Sequence, residues 1–302
     1  MRNALIIGID EYKSNLLEGN VRNASLMNQV LSRNEDGSPN FNCKNLISLD
    51  QNIKSNVIKD SIDKLFKFSH CDVSLLYFSG YGAPSLDGYI LSQDEQKISI
   101  QEILLLANNS ASREVVLILD IQAIDIGESF NSNSQIFTRE GITILMGISE
   151  TIQDSITPLV YEALSGNVSD ILGRVKITSI FSYVDNAIGE WSMRPIFKSY
   201  VNSLVSIRKC KPKIEISILR KLTYFFKNPD YILMLNPSYE PTAEPKNSED
   251  EKKFALLNEF YSIGIIEPIG ENHLYYAAIN SKSCQLTALG KYYWQLISRQ
   301  II

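Results

Sequence analysis

Apolar residues come in short uninterrupted runs through the first two-thirds of the chain, each followed by a stretch with helical apolar spacing. The runs at residues 4–9, 46–49, 73–78, 115–119 and 141–147 have strand length and no polar alternation. That pattern marks strands buried on both faces. Between them, the segment 21–31 places Ala24, Met27, Val30 and Leu31 on one helical face. Segments 53–66 and 100–107 read as further helices, another starts at 159–164, and a hairpin is expected at 87–92. Strands alternating with helices in this way predict an α/β domain with a largely parallel sheet covered on both faces.

The pattern changes after residue 207. Residues 208–213 (Arg-Lys-Cys-Lys-Pro-Lys) concentrate cations without interleaved aromatic residues, so they read as a solvated linker rather than a nucleic-acid patch. This divides the chain into a domain over 1–207 and a smaller one over 208–302. In the second, residues 214–226 have Ile218, Leu219, Leu222 and Phe226 at helical spacing. Residues 228–251, rich in proline, asparagine and acids, read as a long surface loop. An amphipathic helix over 252–262 stops at Gly264, where a C-terminal cap is expected. The stretches 265–269 and 274–279 alternate around Gly270-Glu271-Asn272 and predict a hairpin, and a last helix closes the chain over 286–297.

At 302 residues, 44% apolar and 21% charged, the composition is that of a folded soluble protein. No apolar run reaches membrane-spanning length, and the run at 4–9 is too short for a secretory leader. The cytoplasm is therefore the expected compartment. Cys43, Cys71, Cys210 and Cys284 have no metal-ligand or disulfide-framework spacing, so no metal and no cofactor are expected. A net charge of −5 supplies no general attraction to nucleic acid.

Candidate chemistry sits after two of the strands. Ser79-Gly80-Tyr81-Gly82 follows the run at 73–78, and Asp120-Ile121-Gln122-Ala123 follows the run at 115–119. The pair resembles the caspase-like (caspase and metacaspase) cysteine-peptidase family. There the first strand ends in Ser-Gly-His-Gly, carrying the general base, and the second in Asp-x-Cys-His-Ser-Gly, carrying the nucleophile. The resemblance places Tyr81 at the histidine position and Gln122 at the cysteine position. It extends to residues 4–9 followed by Tyr12, to the helix over 17–31, to the loop at 34–41, to 156–170 with Tyr161-Glu162-Ala163-Leu164-Ser165-Gly166, and to 195–199. The C-terminal segment resembles a winged-helix module that accompanies some bacterial members. The resemblance implies a caspase-like sheet followed by a small α+β winged-helix-like domain.

Glutamine offers no nucleophile, and a tyrosine phenol, titrating near pH ~10, is a poor base at neutral pH. Ala123, Ile124, Asp125 and Ile126 stand where the family has His-Ser-Gly, so the flanks have diverged too. His70 and Cys71 precede their strand, and reactive groups of parallel sheets gather beyond the opposite ends, so this pair is no substitute. Asp120 matches the aspartate before the family's nucleophile. It either helps form a specificity pocket or, the commoner role, bonds the following loop. Asn23 stands where the family has aspartate. Acidic groups there help metacaspase-like members bind a basic side chain, and the alternative is an ordinary surface helix residue.

The expected function is that of an inactive relative. The resemblance implies a scaffold, adaptor or regulator of a protein partner, including self or an active caspase-like peptidase in bacterial defence or cell death. Two alternatives stay open: a non-cleaving peptide or ligand receptor using Tyr81, Gln122, Asp120 and Asn23, and a winged-helix DNA regulator. DNA is the weaker of these, because Lys252 and Lys253 are offset by Glu251 and Glu259. The aromatic residues of the tail, including Tyr275, Tyr276 and Trp294, suit protein contact or internal packing instead.

Overall fold

A computed structural model describes residues 1–13, 16–49, 52–67, 71–123, 138–190, 193–202, 205–239 and 247–302. The chain divides into two units: Met1–Ser169 with Gly173–Lys211, and Asp170–Leu172 with Pro212–Ile302. None of the described helices is long and apolar enough to cross a membrane.

In the first unit the order is β1 (Arg2–Gly8), α1 (Asn20–Ser32), β2 (Asn42–Ile47), α2 (Ser55–Lys67), β3 (Val73–Ala83), β4 (Tyr89–Leu91) and β5 (Lys97–Ser99). Next come α3 (Ile100–Asn108), β6 (Glu114–Ala123), β7 (Ile142–Ser149), α4 (Thr157–Glu162), β8 (Arg174–Lys176), α5 (Ile177–Ile188), β9 (Ile196–Tyr200) and β10 (Ser206–Lys209). The main sheet has the order β2-β1-β3-β6-β7-β9. Along this order the strands are parallel except β9, which runs antiparallel along β7, and β4 and β5 extend the sheet antiparallel from β3. The fold class expected from the apolar runs is the one observed.

Successive strand residues feed opposite faces, and both faces are covered, which is why the runs show no regular polar alternation. Leu5, Ile7, Leu76, Phe78, Leu117 and Leu119 form one core with Ile58 and Ile62 of α2 and Ile103 of α3. Ile6, Leu75, Tyr77, Val116 and Ile118 form the other with Met27 of α1, Val160 of α4 and Ile180 of α5. Helix α1 lies so close to β1 that a Cβ on Gly8 would come within 2.6 Å of Ala24 Cβ and of the Asn20 carbonyl.

Three local expectations change in this unit. The hairpin is β4 with β5, and its turn spans 92–96, where Ser92 Oγ donates to Asp94 at 2.5 Å. The strand expected at 46–49 starts earlier, at Asn42. The basic stretch after 207 is no free linker. Strand β10 pairs antiparallel with β8, Ile207 is buried, and Arg208 spans the carbonyls of Arg33 and Leu164 at 2.9 Å each. The first unit therefore continues to Lys211, past the division expected at 207.

The second unit contains α6 (Ile216–Leu219), α7 (Leu222–Phe225), β11 (Leu233–Met234), α8 (Ser248–Ser262), β12 (Ile266–Ile269), α9 (Leu274–Ile279), β13 (Ser283–Leu286) and α10 (Ala288–Ser298). Its sheet is antiparallel with the order β11-β13-β12, and Phe226, Leu257, Phe260, Leu274 and Ile297 build its core. The single helix expected over 214–226 is two short ones. The expected loop over 228–251 contributes β11 and the start of α8, whose Asn247 cap accepts from the Glu249 and Asp250 N–H groups. The expected hairpin over 265–279 is replaced by β12 followed by helix α9. Leu274, Ala277 and Ala278, at helical spacing, are buried together, and β12 finds its partner in β13.

Candidate functional site

Strands β3 and β6 run side by side, and their register pairs Ser79 with Asp120 and Tyr81 with Gln122. The two positions aligned with the peptidase dyad by the resemblance are thus neighbours at the carboxyl ends of their strands, the side of the sheet where parallel α/β folds collect their chemistry. Their side chains turn in different directions. The Tyr81 ring packs on Tyr12, which follows β1, with centroids 5.0 Å apart and planes inclined by 52°. The Tyr81 N–H donates to Tyr12 Oη at 2.8 Å. Burial raises the Tyr12 phenol far above its ordinary range, so it stays neutral. A Cβ on Gly80 would lie 2.4 Å from Tyr12 Oη, so position 80 has no room for a side chain. Gln122 instead donates its Nε2 to the carbonyl of Glu150, beyond β7, at 3.1 Å. Its buried Oε1 has no partner among the described residues.

Asp120 and Asn23 meet in a buried chain of polar groups. Asp120 Oδ2 accepts from Ser155 Oγ and Thr157 Oγ1, both at 2.5 Å. The Ile156 and Thr157 N–H groups reach the same carboxylate at 3.3 Å, so Asp120 caps the start of α4. Asn23 donates to Ser155 Oγ at 2.9 Å and to Ser79 Oγ at 3.5 Å, and Ser79 donates to Asn20 Oδ1 at 2.8 Å. At the other end, Tyr77 Oη lies 2.5 Å from Thr157 Oγ1. Burial raises the Asp120 pKa, and the Ser155 and Thr157 hydrogen bonds only partly offset it. Asn23 is 5% exposed, so the surface-residue alternative for it does not hold.

The four candidates Tyr81, Gln122, Asp120 and Asn23 therefore lie in one region around the ends of β3 and β6. Asp120 and Asn23 share Ser155, and neither carries an acidic oxygen left open for a ligand. Tyr12, Ser79, Ser155 and Thr157 complete the arrangement. Tyr12 and Ser79 are recognisable from the motifs around them. Ser155 and Thr157 sit in a segment without periodicity and carry no comparable signal.

None of the four cysteines is a register neighbour of Tyr81 or Gln122. Cys71 lies ahead of β3, at the end of the strand away from Tyr81, and bonds Val73 O at 3.1 Å. Burial pushes the Cys43 thiol up to about 11 and that of Cys284 up to about 12, and it raises Cys210 as well. Such thiols hold almost no thiolate at neutral pH. His273 precedes α9 in the second unit. His70 and residues 124–126 lie outside the described residues. No group of three or more His, Cys, Asp or Glu suited to a metal ion occurs among the described residues.

Residues 1–133 match the family model described as the caspase domain. The crystal structure of protein GSU0716 from Geobacter sulfurreducens is similar in fold, with a TM-score of 0.50 and 12% identity over 67% of this chain and 94% of that one. At that identity the likeness speaks to the fold alone. No curated protein matches the chain.

Proposed function

From the caspase-like character of residues 1–133, we propose that this protein does not cleave peptide bonds and acts by binding a protein partner. The observation that carries the reading is the register pair at the ends of β3 and β6, which holds Tyr81 and Gln122. Cysteine-peptidase chemistry needs a thiolate and a base that exchanges protons near neutral pH, and a phenol beside an amide supplies neither. Asp120 supports the same reading, because its oxygens are taken up by Ser155, Thr157 and the start of α4. The role that remains is that of a scaffold, adaptor or regulator. The resemblance points to an active caspase-like peptidase, or a second copy of this chain, as the class of partner.

Affinity capture of the tagged full chain from its native host, with and without nuclease, tests this reading. The expected result is a protein recovered in stoichiometric amount that nuclease treatment leaves in place. Recovery that disappears with nuclease, with no stoichiometric protein remaining, contradicts it.

A further inference from the structure

The second unit carries a groove of about 530 Å³ between the α6–α7 corner and helix α8. Four cations line it: Arg220 and Lys221 from the corner, Lys252 and Lys253 from α8. Its apolar wall comes from Tyr224, Phe225 and Leu256, and no acidic side chain lines it among the described residues. Phe225 is buried against Phe260, with ring centroids 6.1 Å apart, which fixes that wall to the core. Tyr224 is 76% exposed and stands at the opening.

Most of this charge is uncommitted. Lys253 pairs with Asp250 at 3.2 Å, and Asp250 is already engaged by Ser238 and Asn247. Among the described residues, Arg220, Lys221 and Lys252 have no carboxylate partner. Like charges gathered without counter-charges repel one another and weaken the fold slightly. An anionic ligand removes that cost.

We propose that this groove binds a short acidic peptide segment of a partner protein, with one aromatic or aliphatic side chain seated between Tyr224 and Leu256. The cations come as two pairs from two elements, with the apolar wall lining the same groove, which matches carboxylates flanking an anchor residue. A nucleic-acid strand needs an extended basic track. Residues 212–302 instead contain equal numbers of basic and acidic residues, so the segment as a whole carries no net positive charge to attract a nucleic-acid strand. The site rests on residues of the second unit alone and does not depend on the loss of peptidase chemistry in the first.

The test is fluorescence anisotropy on the full chain with a labelled short peptide holding one phenylalanine among glutamates. A lysine-flanked peptide, a peptide with serine in place of the phenylalanine, and labelled oligothymidylate serve as comparisons. The glutamate-phenylalanine peptide is expected to bind best and to weaken as salt is raised. The double variant Lys221→Glu/Lys252→Glu and the single variant Tyr224→Ser change exposed side chains, and thermal melts check that both fold. The double variant is expected to weaken binding at least about tenfold, a loss of about 1.4 kcal/mol. Equal binding to the folded double variant, no binding of the acidic peptide, or tighter binding of oligothymidylate would each overturn the proposal.

Discussion

The double variant Tyr81→His with Gln122→Cys is expected to show no measurable peptidase activity. The two positions are register neighbours, so backbone distance is not the obstacle. The surroundings are. Tyr12 packs against the side chain at 81, and the Glu150 carbonyl accepts from the one at 122. A dyad needs its thiolate and imidazole within hydrogen-bond reach, and an ångström of misplacement already costs about two orders of magnitude. Substrate capture is not expected either, because Asn23 is neutral and Asp120 is engaged in internal hydrogen bonds. Fluorogenic peptides ending in arginine, lysine or aspartate are expected to give no signal above buffer. Turnover that a thiol alkylator abolishes would show that the local architecture still supports the chemistry.

Asp120→Ala is expected to be strongly destabilising. It removes the acceptor for two hydroxyls and two backbone N–H groups at the start of α4. Each buried donor left without a partner costs about 1–3 kcal/mol, and the hydroxyls can rotate to recover part of that. The net loss should be about 3 kcal/mol, or a fall in Tm of roughly 10 °C for a unit of this size. Asp120→Asn separates geometry from charge. The folded pKa of Asp120 is raised, so its contribution is full below the ordinary carboxylate range and declines as pH rises through the raised value. Asparagine has no such titration. The stability gap between the natural protein and Asp120→Asn should therefore narrow as pH rises from about 4. Urea unfolding at a series of pH values measures the gap, and a gap that widens with pH would mean the carboxylate is favoured in the folded state.

The main sheet is readable from the chain because strands covered on both faces leave nearly continuous apolar runs, as 115–119 does without a break and 73–78 with Ser74 alone interrupting. The errors fell where six-residue segments satisfy two periods at once. In Leu274–Ile279 both the alternating and the helical pattern fit, and the pairing of β12 with β13 decided for the helix. The basic stretch after 207 misled because its charges hide Ile207, whose burial fixes β10 in place. At the candidate site, the motif residues were legible and their surroundings were not. The burial of Asn23 had a signal, since Asn20 and Asn23 lie on the face of α1 that carries Met27 and Leu31. The partners of Asp120 had none, because Ser155 and Thr157 come to it only through the turn into α4.

Cleavage itself is the most direct measurement: the purified full chain incubated with peptides ending in arginine, lysine or aspartate, with and without a cysteine alkylator. Release equal to buffer in both conditions is the predicted result. Release that scales with protein concentration contradicts the account, whether or not the alkylator stops it.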